Sequence, residues 1–243
     1  MLKRIPIIAA NWKMYKTAAE AQEFLTHLKG KLPSSVKVFI APSFTALPVV
    51  KGAQGVVIGA QNMHEADEGA FTGEISARML KDAGVQFVIV GHSERRRLFH
   101  ETDAVVHLKL KKAFSSQLLP ILCVGETLED REARKTFDVL SHQLKTALAG
   151  TLPAELILAY EPVWAIGAGE TATPETAADA HRLIRAQVKG SFGAEAANNI
   201  RILYGGSVKP DNAKSLMAQP EIDGFLVGGA SLDPVSFASI VNR

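Results

Sequence analysis

The sequence predicts an α/β fold, a single (β/α)8 barrel with a parallel eight-stranded core. Three observations carry that prediction. Eight short runs of β-branched and apolar residues recur along the whole 243-residue chain, most of them continuous rather than alternating, as expected for parallel strands covered on their outer face. Helix-like segments lie between the runs. No Pro/Gly/Ser linker, low-complexity tract or shift in composition divides the chain, so residues 1–243 read as one domain, and a content of 47% hydrophobic residues suffices for one large core.

In order, the first run is "IPIIAAN" (5–11), followed by a helix-like segment at 17–30. "VKVFIAP" (36–42), "VVIGAQN" (56–62) and "FVIVGH" (87–92) come next, then a helix over 104–115 for which Asp103, just before "AVVHLKL", reads as the start signal. "LLPILCV" (118–124) precedes a long helical pattern over 128–149. "LILAYE" (156–161) precedes a helix over 174–189, which Pro174 opens at a first-turn position after Thr173. "IRILYGG" (200–206) and "DGFLVGG" (223–229) complete the eight. Strands alternating with helices in this length match a closed barrel. The rival, a doubly wound open sheet, needs fewer strands and a phosphate motif at its first strand, where "IPIIAANWKM" has no glycine.

Composition excludes several functions. A net charge of +2 from 27 basic and 25 acidic residues is not the footprint of a nucleic-acid binder, and "ERRRLFH" and "KLKK" read as solvated helix faces. The lone cysteine, Cys123, has no internal disulfide partner and reads as a small buried apolar residue in a reducing compartment. The start "MLKRIPIIAANWK" is too short in its apolar part for a signal-peptide core, and no apolar run is long enough to span a bilayer, so a cytoplasmic protein with no membrane partner is expected. Seven histidines and one cysteine show no metal-ligand spacing, so no metal is expected.

In such barrels the chemistry lies at the C-terminal mouth, which makes the residues closing each strand informative. Strand one ends in Asn11 and leads to Lys13, strand four ends in His92, and strand six ends in Glu161. Each has an ordinary structural explanation alone; together on one rim they form a constellation. Strands seven and eight end instead in "YGGSV" and "VGGAS", where glycines let backbone N–H groups approach an anion. "GAGETA" matches a dinucleotide pattern formally, but it is separated from its strand and lacks the acid about 20 residues on. An acid, a histidine, a lysine and an anion nest suggest proton transfer beside the carbonyl of a small phosphorylated sugar. Glu161 would remove a carbon-bound proton, His92 would serve the two oxygens, and Lys13 would stabilise the developing enediolate. That intermediate can lose phosphate if water enters, so the segment after Glu161 reads as a closing lid.

The motifs "AANWKM", "GAFTGEIS", "VIVGHSERR", "CVGET", "AYEPVWAIG", "YGGSV" and "VGGASL", spaced along nearly the whole chain, resemble the triosephosphate isomerase family. The resemblance implies a TIM barrel that interconverts dihydroxyacetone phosphate and D-glyceraldehyde 3-phosphate through an enediol(ate), in glycolysis and gluconeogenesis, without cofactor and as a homodimer. It implies Glu161 as base, His92 as a neutral electrophile, and Lys13 and Asn11 as oxyanion partners. It implies phosphate held by the backbone at Gly167, Ser207, Gly228 and Gly229. Support and lid roles fall to Glu94, to Glu126 with Trp164 when the lid is closed, and to Tyr204 with the backbone at Ala172. The loop 61–76 would enter the partner subunit, with Thr72 reaching the neighbour's Asn11.

Beside the resemblance, Ser93 is expected to cap a helix beginning "SERR", aiming its positive end at the ring of His92. The lid departs from the family's A-I-G-T-G-K-T-A pattern at Ala168 and Glu170, which bears on its opening equilibrium and kinetics. Two alternatives compete: a sister phosphosugar barrel enzyme (an epimerase or synthase), which would share the glycine pairs but not combine "NWK", "GHSERR" and "YEPVWAIG", and a non-catalytic phosphosugar-binding or adhesin role.

Overall fold

The computed structural model describes residues 4–149, 155–166 and 172–243. Eight parallel strands close in chain order into one barrel: β1 (Ile7–Asn11), β2 (Lys37–Ala41), β3 (Val57–Ala60), β4 (Phe87–Val90), β5 (Leu119–Val124), β6 (Ile157–Tyr160), β7 (Arg201–Tyr204) and β8 (Gly224–Val227). Between and after them run α1 (Ala18–Leu28), α2 (Leu47–Val50), α3 (Ala77–Asp82), α4 (Ser93–Leu98), α5 (Asp103–Ser115), α6 (Leu128–Glu132), α7 (Thr136–Ala147), α8 (Pro174–Asn199), α9 (Pro210–Met217) and α10 (Pro234–Val241). No helix among the described residues is long and apolar enough to cross a membrane.

The continuous apolar runs follow from burial on both faces. One core joins alternate strand residues such as Ile8, Ile40 and Leu158 to the helices. A second consists of strand residues alone, among them Ile7, Phe39, Phe87, Ile121, Cys123 and Ile157, and fills the barrel. Phe39 and Phe87 meet there with ring centroids 4.8 Å apart, and β3 makes room with Gly59, where a Cβ would overlap the Phe87 ring at 2.2 Å. Cys123 is fully buried, and burial pushes its thiol pKa well up.

Helix starts and ends refine the sequence reading. Thr17 and Glu20 form a reciprocal capping box at α1. α5 is capped by the Thr102 hydroxyl, so Asp103 is the first helical residue rather than the cap. The pattern over 128–149 is two helices, not one: the chain turns through Arg134 at φ 58, and the Lys135 N–H bonds back to the Asp130 carbonyl at 2.8 Å. The helix expected over 174–189 continues to Asn199, across a break at Gly193, whose φ of 88 favours glycine.

Candidate active site

The strand ends gather the expected residues around a cavity of ≈ 400 Å³ at the C-terminal mouth. Asn11, Lys13, His92, Glu161, Ser207, Gly228 and Gly229 all line it. Gly167, Ala168 and Glu170 lie outside the described residues.

Asn11 closes β1 and accepts the Lys13 N–H on Oδ1 at 3.1 Å, while the carbonyl of Lys13 accepts the Gln61 amide at 2.8 Å. These bonds hold Lys13 at φ 52, a left-handed conformation that costs a non-glycine residue of order 1 kcal/mol or more. Its ammonium pairs with Glu94 Oε1 at 2.5 Å. Backbone geometry thus aims the lysine before any ligand arrives.

Glu161 follows β6 and extends its ladder, its N–H donating to the Val124 carbonyl at 2.8 Å. The carboxylate is 2% exposed and receives three donors: the Ser93 N–H (2.9 Å), the Ser93 hydroxyl (3.2 Å) and His92 Nε2 (2.9 Å). Burial opposes its charge, but His92 and Ser93 together hold its pKa below the usual carboxylate value. Gly205 leaves room beside it, since a Cβ there would sit 3.0 Å from Glu161 Cγ.

The expectation for Ser93 is corrected. His92 itself is the N-cap of α4, its Nδ1 accepting the Glu94 N–H at 3.2 Å, and Ser93 is the first helical residue, which frees its side chain and N–H for Glu161. A short side chain that can serve a cap can equally serve a distant carboxylate, and sequence offers no signal to separate the two. On His92, burial disfavours the imidazolium while the Glu161 carboxylate draws the pKa upward, and the upward pull prevails. The hydrogen-bond pattern is nonetheless that of a neutral ring, because only an unprotonated Nδ1 can accept the Glu94 N–H; the proton then sits on Nε2, facing Glu161.

Ser207, Gly228 and Gly229 bring backbone to the opposite wall. Gly228 lies beside Lys13, where a Cβ would be in ordinary contact at 3.4 Å from Lys13 Cε. After β5, Glu126 is fully buried and accepts both the Tyr160 hydroxyl and the Trp164 indole N–H at 3.0 Å, with Arg131 stacked 4.4 Å over the Trp164 ring. Burial raises the Glu126 pKa. Tyr204 is also buried, which pushes its phenol up to about 12 while the Ala172 backbone pulls it partly back.

The loop 61–76 is closed at its base by the His64 N–H on the Ile75 carbonyl (2.9 Å) and packs Phe71 on the His64 ring at 4.1 Å. Its tip, with Thr72, is exposed. Among the described residues, no group of His, Cys, Asp or Glu is arranged to hold a metal ion.

Comparison with known proteins bears on this geometry. The family described as Triosephosphate isomerase matches residues 6–243. The triosephosphate isomerase of Solibacter usitatus is 55% identical over 248 residues, covering 98% of this chain and 99% of that protein. Those of Citrifermentans bemidjiense (53%; 98% of each chain) and Alkaliphilus metalliredigens (49%; 98% and 99%) are similar along the same length. With an eight-stranded barrel whose mouth gathers Asn11, Lys13, His92 and Glu161, and a match over nearly every residue, this chain belongs to the triosephosphate isomerase family.

Proposed function

We infer that the mouth of this barrel carries out the aldose–ketose isomerisation of a phosphorylated triose, with Glu161 as the base. The chain is an isomerase that interconverts dihydroxyacetone phosphate and D-glyceraldehyde 3-phosphate. The observation that supports the residue roles most is the convergence of Asn11, Lys13, His92 and Glu161, from three separate strand ends, on one cavity.

Glu161 takes a proton from the carbon beside the carbonyl and returns it to the neighbouring carbon. For this it must exchange its three present donors for the substrate, and the bare Cα of Gly205 leaves space for that turn. His92 presents Nε2–H to the two oxygens, and a neutral ring is suited to this, since it donates to a developing oxyanion and is restored without net charge. The Lys13 ammonium and the Asn11 amide stabilise the enediolate. Backbone at Ser207, Gly228, Gly229 and Gly167 holds the phosphate dianion. One catalytic domain serves all of these roles without a cofactor. Glu126 and Tyr204 anchor the two ends of a lid that excludes water and so protects the enediolate from losing phosphate.

The enzyme works as a homodimer. The segments that follow β1, β2, β3 and β4, which are neighbours in the barrel, expose Met14 (94%), Tyr15, Phe44, Phe71, Met79 on α3 and Phe99, more apolar surface than a free monomer favours. Loop 61–76 would fill the partner with Thr72 near its Asn11. Shortening residues 63–71 should yield a monomer of sharply reduced activity by sedimentation and assay, and a fully active monomer at nanomolar concentration refutes a shared site. The single buried cysteine agrees with a reducing compartment, the cytoplasm.

The direct test is incubation with dihydroxyacetone phosphate in deuterated water. Aldehyde product with deuterium at the carbon supports isomerisation through an exchanging base. Binding without turnover would leave a phosphosugar-binding role, and a different product a sister enzyme. An imidazolium signal for His92 in NMR spectra at pH 7 would overturn the neutral electrophile.

A further inference from the structure

Gln143 lies on α7, in the helical layer outside the barrel, and its side-chain amide grips Gly125 at two points. Oε1 accepts the Gly125 N–H at 2.9 Å, and Nε2 donates to the Gly125 carbonyl at 3.0 Å. The two groups belong to successive peptide units. The first unit joins Val124 to Gly125, and its carbonyl is the acceptor that holds the Glu161 N–H at 2.8 Å. The second joins Gly125 to Glu126, the carboxylate that binds Trp164 and Tyr160, and the carbonyl of Glu126 in turn accepts the Val163 N–H at 3.1 Å. One amide therefore fixes the peptide on which the Glu161 backbone rests and the next one, which leads into Glu126.

The reason such a clasp is needed lies in position 125. A Cβ there would stand 1.7 Å from the carbonyl oxygen of Glu161, so only glycine lets the two backbones touch. Glycine is also the residue that least restrains its own φ and ψ. The close approach that seats Glu161 removes local stiffness at the same residue, and the helix supplies it from outside. Nothing in the amino-acid pattern of "CVGET" shows this, because the partner lies 18 residues away and bonds only to backbone.

We propose that Gln143 is a positioning residue for the Glu161 base, acting through the two peptides of Gly125, and that the accuracy of proton transfer depends on its two hydrogen bonds. This rests on the reading of Glu161 as base. Lys13 and Asn11 are held by other elements, so their hold on the substrate should not depend on the clasp.

The test compares wild type, Gln143→Met and Gln143→Glu in dihydroxyacetone phosphate turnover, with thermal unfolding and amide hydrogen exchange on the same samples. Methionine keeps the length and volume but neither bond; glutamate at neutral pH keeps an acceptor but sets a carboxylate against the Gly125 carbonyl. Displacing a reacting group by about 1 Å costs about 100-fold, so a shift of half that size should lower kcat about tenfold with KM within about threefold of wild type. Exchange should quicken at Gly125 and Glu161 while the other barrel amides keep their protection. A folded Gln143→Met enzyme with kcat within twofold of wild type overturns the proposal. So does a loss of kcat that only follows a lowered folded fraction, with exchange faster throughout the barrel. If Gln143→Met does not fold, Gln143→Glu is judged by the same measures, and failure of both to fold makes Gln143 a determinant of the fold and ends the proposal. Inactive wild type would instead remove the reading of Glu161, which keeps the two failures apart.

Discussion

The two ends of the barrel each bury a carboxylate, and they compensate it in opposite ways. At the N-terminal end, Asp223 is 6% exposed and binds the guanidinium groups of Arg4 (2.5 Å) and Arg185 (2.7 Å) and the Ile202 N–H (2.9 Å). Arg185 is itself tied to Glu221 and to the Ala197 and Ile200 carbonyls. At the C-terminal end, Glu161 has a hydroxyl, a backbone N–H and an imidazole, and no Lys or Arg within ion-pair distance among the described residues. Full cations lock a buried charge in place, whereas donors of this kind hold it until a competing group arrives. Cavity size does not single out the mouth: a hollow of ≈ 1110 Å³ near Arg4 and Asp223 is larger than the ≈ 400 Å³ there. What distinguishes them is which charges can change partners.

The comparison is broken most directly by exchanging roles between activity and stability. Glu161→Asp withdraws the carboxylate by one methylene and should lower kcat by about 100-fold or more, with little change in KM and no loss in thermal midpoint. A kcat loss below tenfold would remove Glu161 from the role of base. At the other end, Asp223→Ala leaves two guanidinium groups without their shared partner. Breaking a buried pair costs about 3–5 kcal/mol, and the partial exposure of Arg4 (23%) and Arg185 (13%) puts the expected loss nearer about 3 kcal/mol in urea unfolding. Per folded molecule, kcat should stay within twofold. A catalytic defect as large as the stability defect would show that the two ends are not independent.

Acid should reveal a third, intermediate case. Glu101 is 8% exposed, and its Oε1 binds both Lys109 and Arg95 at 2.5 Å. Burial works against its charge, but these two cations hold the pKa below the usual 4.5. A carboxylate with a depressed folded pKa contributes stability that is present above its unfolded pKa and is lost as pH falls through the folded value. Glu101→Gln should therefore cost about 2 kcal/mol at pH 7, since Lys109 still keeps Asn62 at 2.8 Å, and the difference from wild type should shrink as pH falls below the usual 4.5 and vanish once it has passed below the depressed folded value. A difference that persists into strong acid would mean that the lost stability came from packing rather than from charge.

How much of this was legible in the sequence follows from which residues face which partners. The eight strands were, because burial on both faces gives continuous apolar runs, and Asn11, Lys13, His92 and Glu161 were, because a polar residue at the end of such a run stands out. The break between α6 and α7 was not: Arg134 takes a left-handed φ of 58 without the glycine or asparagine that would announce it. The role of Ser93 was misassigned because it lies at a helix start, where a cap is the ordinary use of serine, and its bond to Glu161 went unread. Asp223 went unread because its strand begins after it, and its partners come from positions 4 and 185. Local chemistry at strand ends is visible in one dimension; pairings across the barrel are not.

The smallest effect concerns the contact between Trp164 and Glu126, at the start of the proposed lid. Trp164 donates its indole N–H to Glu126 at 3.0 Å, and a hydrogen bond to a charged group is worth about 1.5–3 kcal/mol when nothing replaces it. Trp164→Phe leaves much in place, however. The Tyr160 hydroxyl still serves the same Glu126 oxygen at 3.0 Å, Arg131 lies 3.6 Å from it, and a phenyl ring still offers a face to the Arg131 guanidinium. Burial already raises the Glu126 pKa, so a weakened carboxylate can also take up a proton rather than stay unpaired. The net cost should therefore fall to about 1 kcal/mol, enough to shift lid populations roughly fivefold. We expect kcat to change by less than tenfold, phosphate loss from the enediolate to rise measurably, and the pH dependence set by Glu161 and His92 to stay where it is. Stopped-flow turnover with product analysis measures the first two, and the pH profile of kcat/KM the third. A hundredfold fall in kcat together with a displaced pH profile would mean that the Trp164–Glu126 contact bears on the base itself, and the division between the chemistry of the mouth and the closing of its lid would have to be given up.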